Sequence, residues 1–273
     1  MTAGLDDLLA GTPLLPLLMR MGIVAMLVVT IALVAERLGP FLGAMVASLP
    51  LNTGPIYVLL ALEHDAAYFA RMTVPSAAIC GAIPVFVLVY AMLAPTQSAL
   101  VSVLGAMIAW SALAAAVQAR DWSLPEALLF VAPIYAVAMP LAQGFTRGVA
   151  IRTARRRTGD LFVRATLAAA FAGFVIVASK HVPPDVTGVL AVMPILMASL
   201  ALVMHARVGG PATAALLANT LIGMVGMVLA FALIHLTIES IGIWAALALG
   251  LATTILWNLM LIAARRAWRA RTS

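Results

Sequence analysis

Two prolines bracket a short polar cluster inside an otherwise apolar stretch: Pro50, Leu51, Asn52, Thr53, Gly54, Pro55. A proline within a helix has no N–H to donate and clashes with the turn before it. Pro50 is therefore expected to free the carbonyl of Val46, and Pro55 that of Leu51. Asn and Gly weaken the helix further. Irregular backbone at membrane depth persists only where it is buried in protein or lines a wet cavity. Freed carbonyls, and amides opening a half-helix, can hold a solute or an ion. In this pattern Asn52 and Thr53 offer side-chain contacts, Gly54 permits close backbone approach, and Pro50 and Pro55 hold the break.

A weaker copy of the feature lies further on. Pro194 sits mid-way along an apolar run, followed by Met197, Ala198 and Ser199 in place of the polar trio. Asn219 and Thr220 are expected to complete the wall of a site shared by both breaks. Glu36 is the first candidate for a proton-coupling carboxylate, since it lies beside the first broken element. Isolated Ser76, Ser111 and Thr253 read instead as hydrogen-bonding glue between helices.

Other chemistries find little support. There is no G-x-S-x-G elbow, P-loop or H-E-x-x-H pair, so neither nucleophilic nor nucleotide chemistry is indicated. The chain is expected not to be an enzyme and to carry no cofactor or metal. His64, His181 and His235 fall near Glu63, Asp65, Asp185 and Glu239, which leaves an outer-face metal-dependent enzyme as one alternative. The single cysteine, Cys80, lies in an apolar run and reads as a small packing residue.

The elements that must position these residues are membrane spans. Of the 273 residues, 64% are hydrophobic and 10% charged. The apolar runs reach about 20 residues, the length that crosses a bilayer as a helix. Nine spans are expected, at about 17–36, 40–62, 67–93, 98–119, 123–143, 161–180, 184–206, 211–235 and 241–264. Pro and Gly pairs such as Gly39-Pro40, Pro183-Pro184 and Gly209-Gly210-Pro211 separate them. Arg147, Arg152, Arg155, Arg156 and Arg157 form one basic loop, and Arg265, Arg266, Arg269 and Arg271 a basic tail. Lys and Arg accumulate on the cytoplasmic side, so both are placed inside and the N-terminus outside. The basic residues thus read as orientation signals, with no nucleic acid as partner. An early basic region and a cleavage site are not seen, so the first span is expected to be retained.

Displacing the chain by 144 positions superposes Arg20 on Arg164, Pro40 on Pro184, Ala47 on Ala191 and Pro50 on Pro194. The reading is an all-α polytopic membrane protein with two inverted four-helix repeats. Residues 1–122 form the first, 123–160 a connecting helix and basic cytoplasmic loop, and 161–273 the second repeat and tail. Inverted repeats of this kind are a ground plan of secondary transporters. The expected function is secondary transport of a small solute by alternating access at broken helices 2 and 7. The partners would be the solute and the lipid bilayer, in a bacterial inner (plasma) membrane. A non-transporting complex subunit or a partner-dependent permease is the other alternative. The size is like that of ten-span drug/metabolite transporters, but no motif is shared, and no family is assigned.

Overall fold

The computed structural model describes residues 14–37, 53–147, 149 and 158–272. Pro50 and Asn52 lie outside the described residues, and so does the side chain of Glu36. All regular structure among the described residues is helical. In chain order the helices are α1 (Leu14–Arg37), α2 (Thr53–Leu60), α3 (Ala66–Ile79) and α4 (Ala82–Leu93). Then follow α5 (Ala99–Gln118), α6 (Leu124–Gly144), α7 (Thr158–Ala178), α8 (Pro184–Ala191), α9 (Ile195–Val208), α10 (Gly210–Ile241) and α11 (Ile243–Thr272). Six stretches are long and apolar enough to cross a membrane: Ala66–Leu93, Ala99–Gln118, Leu124–Gly144, Pro184–Val208, Gly210–Ile241 and Ile243–Ala264. The protein is therefore built as an integral membrane protein.

Local chemistry sets the helix ends. Asp65 caps α3 by accepting from the Tyr68 amide at 2.9 Å. Ser98 accepts from the Val101 amide to cap α5. Ser123 and Glu126 form a capping box at α6. Each satisfies an amide that the helix itself leaves unpaired. Gly209 and Gly242 separate α9 from α10 and α10 from α11 at φ of +84° and +81°. Only glycine adopts that conformation without steric cost, so these two residues permit the sharp reversals.

The bundle has α3–α4 and α10 at its centre. α3 packs on α8, α10 and α6, while α4 packs on α5, α10 and α6. α10 also carries α11 along its length, and α1 pairs with α7. Glycines allow the closest approaches, as is usual where backbones meet in membranes. Gly81 lies under Ile134 and Phe130 of α6, and Gly226 under Trp257 of α11. The regular helix of the α3–α4 span is interrupted at Cys80 and Gly81. Pro84 cannot donate to the Cys80 carbonyl, which accepts from Ile83 at 3.2 Å instead. The sequence reading gives 67–93 as one span and marks no break at Pro84.

Candidate functional site

The interruption between α8 and α9 follows from Pro194. Proline offers no N–H to the carbonyl of Leu190, which accepts from Met193 at 3.0 Å. The Ile195 amide turns to the Met193 carbonyl at 2.8 Å. The carbonyl of Ala191 thereby loses its helical donor. Thr53, the first residue of α2, replaces it: its hydroxyl donates to Ala191 O at 3.1 Å. Thr53 is buried, so this bond satisfies a carbonyl that would otherwise be orphaned away from water.

A second polar contact lies one turn along α2. The Tyr57 hydroxyl donates to Ser76 Oγ of α3 at 2.5 Å, and Ser76 Oγ shares its single proton between the Gly188 carbonyl of α8 at 3.0 Å and Met72 O at 2.9 Å. Gly188 has no side chain to hold α8 off α3. A Cβ there would stand 2.2 Å from the carbonyl oxygen of Met72. Thus α2, α3 and the ends flanking the α8–α9 interruption converge on one buried cluster of hydroxyls and carbonyls.

A charged cluster closes one end of the bundle. Glu63, just beyond α2, pairs with Arg20 of α1 and with Lys180, just beyond α7, at 3.5 Å. His64 stacks on Tyr68 with ring centroids 3.7 Å apart. Its Nε2 lies 2.8 Å from Ser179 Oγ. The Ser179 hydroxyl also donates to Ile176 O. Tyr68 reaches Thr187 Oγ1 of α8 at 2.7 Å. Residues from the ends of α1, α2, α3, α7 and α8 are tied together there. All belong to the face that the charge pattern assigns to the outside.

Between α1, α2, α10 and α11 lies a cavity of about 510 Å³. Thr53, Gly54 and Pro55 form part of its wall, with Tyr57, Phe231 and Thr254. Of the residues expected at the site, the structure brings Thr53, Gly54 and Pro55 to the cavity and sets Thr53 against the stretch that Pro194 interrupts. Asn219 and Thr220 lie elsewhere. Asn219 Nδ2 donates to Ala215 O and Thr220 Oγ1 to Leu217 O. They stand two turns along α10 from Met227, where that helix begins to line the cavity.

No protein-family model matches this chain, and no curated protein or solved structure is significantly similar to it. The geometry alone carries the functional argument. Among the described residues, no group of three or more His, Cys, Asp or Glu side chains could hold a metal ion. His64 is engaged with Ser179, and His235 Nδ1 lies 2.9 Å from the Ala70 carbonyl.

Sequence reading missed Tyr57 and Gly188 and the convergence on Glu63, whereas Ser76, read as glue between helices, does bond across α2, α3 and α8. Tyr57 was within reach. It follows Thr53 by four residues, and such pairs share a helix face. Pairing across helices 115 positions apart, as for His64 and Ser179, leaves no local signal.

The charged cluster has a pH dependence of defined sign. Burial pushes the Glu63 carboxyl up, but hydrogen bonding and charge from Arg20, with charge from Lys180, outweigh this and hold it below its ordinary range. Burial likewise holds the His64 imidazolium below its usual value, against the pull of Glu63 and Asp65. A lowered pKa means the folded state binds fewer protons than the unfolded one, so stability falls with acidification. The His64 contribution is full above about pH 6.5 and is lost as pH drops below it. The Glu63 contribution is lost in a second step, below about pH 4.3. Thermal unfolding of detergent-purified protein should show both steps. His64→Gln is expected to abolish the first and leave the second.

Proposed function

We propose that this protein is a secondary transporter of nine spans, moving a small solute by alternating access around the junction of α2 with the α8–α9 interruption. One observation carries the reading: the Thr53 hydroxyl bonds the Ala191 carbonyl freed by Pro194. Two proline-marked elements, one from each half of the chain, meet backbone to side chain inside the protein. Transporters place their sites at interrupted helices, and the α8–α9 stretch is interrupted at Pro194.

The packing supports an inverted repeat. Glu63 contacts both Arg20, early in α1, and Lys180, after the end of α7, so the paired helices α1 and α7 run antiparallel. A Cβ on Gly173 would touch Met21, and that register sets Ala25 opposite Ala169, its own counterpart at the 144-position offset. The second pair behaves alike. Ala70 meets His235 at one end and Ala94 meets Gly210 at the other. Cys80 and Gly81 of that span then lie opposite Met224 and Val225, again about one offset apart. Both antiparallel pairs are compatible with a two-fold axis in the membrane plane.

In this reading the Arg20–Glu63–Lys180 cluster is the closed outer gate, and the membrane is the inner (plasma) membrane of a bacterium. Spin labels test it. One pair, at Ala67 and His181, reports on the Glu63 end, and another, at Gln97 and Ala206, on the opposite end. Glu63→Gln is expected to lengthen the first distance and shorten the second in pulsed-resonance measurements on protein in lipid vesicles. Unmoved distributions at both ends would favour a static subunit of a membrane complex.

A further inference from the structure

The cavity between α1, α2, α10 and α11 restricts what the protein can carry. Its described lining has no charged side chain. It has three side-chain hydroxyls, and each has given its proton to a protein acceptor. Thr53 donates to Ala191 O, Tyr57 to Ser76 Oγ, and Thr254 to Leu251 O. Among the described lining a solute meets one further side-chain donor, the indole N–H of Trp244, and no carboxylate for a cation. Burying even a neutral polar group without replacing its hydrogen bonds costs several kcal/mol, and an ion far more.

The mouth points the same way. Ile23 and Leu27 of α1, Val58 of α2, and Trp244 and Leu251 of α11 line the cavity. They are also 41% to 57% exposed. All five are large and apolar and stand on helices of membrane length or packed among them. Such a rim is compatible with hydrocarbon and would be costly facing water. The volume of about 510 Å³ falls within the range of sites that enclose drug-sized ligands.

We infer that the cavity is a binding site for an uncharged, largely apolar small molecule, which enters sideways from the bilayer between α1 and α11. The inference rests on the transport reading for the role of that molecule as cargo. Binding itself stands on the cavity alone. The hydroxyl oxygens of Thr53 and Tyr57 retain lone pairs, so a cargo bearing one hydroxyl or amide proton has an acceptor at the cavity floor.

Carbene photolabelling tests this on the full chain in phosphatidylcholine vesicles. The probe is adamantyl diazirine, a compact neutral hydrocarbon, and the labelled residues are read by mass spectrometry. Label is expected to concentrate on Val58, Phe231 and Trp244 above the level at lipid-facing Leu129 of α6. Ala248→Trp places an indole in the cavity wall. It should reduce the cavity label about tenfold, equivalent to about 1.4 kcal/mol of affinity, while Leu129 is labelled as before. Even labelling of all lipid-facing residues would overturn the site, as would cavity label unchanged by Ala248→Trp. A phospholipid with a diazirine in its acyl chain provides the second arm. If it labels the cavity and the adamantyl probe does not, the space is a seat for a lipid tail and the inference is wrong. If the adamantyl label behaves as expected while the spin-label distances stay fixed, the site stands and the transport reading falls.

Discussion

Thr53→Val is expected to loosen the α8–α9 junction and to disable the transport cycle. Valine keeps the shape of threonine and removes one hydroxyl. The Ala191 carbonyl then has no donor, because Pro194 has no N–H and the Ile195 amide is committed to Met193 O. A buried acceptor left unsatisfied costs about 1–3 kcal/mol. That is large against the few kcal/mol that separate two states of a conformational switch. Thr53→Ser restores the donor and should recover most of the loss. Hydrogen exchange provides the direct measurement. The amides of Val192, Met193 and Ile195 should exchange faster in the valine variant and near normally in the serine variant, with a lower unfolding midpoint for valine alone. Equal exchange in all three proteins would show that Thr53 does not hold the interruption.

The serine control separates this effect from simple core damage. Thr53→Ser loses the methyl group and keeps the bond, whereas Thr53→Val keeps the methyl group and loses the bond. A packing role would make serine the worse substitution.

How much of this was legible in the sequence depends on the range of the interaction. The apolar runs and their turn residues marked the helices well, since bilayer thickness sets their length and Gly-Pro pairs end them. Six runs are long apolar helices among the described residues. The interruption at Pro194 was readable for the same reason: a missing N–H acts on the residue four positions back. Pro84 carried the same signal and was passed over, although its effect at Cys80 is of the same kind. The partners of the interruptions were not readable. Thr53 was singled out for a solute, yet its hydroxyl serves a carbonyl 138 positions away. Asn219 and Thr220 were chosen for polarity at mid-span, but on a helix such side chains readily bond the preceding turn, and both do. Glu63 reads in the sequence as an outer-face acid and a candidate metal ligand beside the histidines. That it gathers Arg20 and Lys180 depends on three helix ends meeting, which no spacing encodes.

A large loss of stability is expected from a very small substitution, Gly188→Ala. Intrinsic preference argues for alanine: within a helix it is better than glycine by about 1 kcal/mol. Contact argues against it. The added Cβ would stand 2.2 Å from Met72 O and 2.7 Å from Ser76 Oγ. The first neighbour is backbone of the central helix α3, fixed by its own hydrogen bonds and unable to rotate away. α8 must therefore retreat, stretching the Ser76–Gly188 bond of 3.0 Å and drawing Ala191 away from Thr53. Overpacking of this kind costs about 3 kcal/mol or more where nothing can yield, so it outweighs the gain in propensity. Gly173→Ala supplies the contrast. Its Cβ would stand 2.7 Å from Met21 Sδ, the far part of a flexible side chain that can change rotamer. That variant should unfold within about 1 kcal/mol of the parent. Chemical denaturation of the two variants in the same detergent distinguishes them. If Gly188→Ala proved as stable as Gly173→Ala, α8 would not rest on α3 as closely as described, and the junction at Thr53 would lose its support.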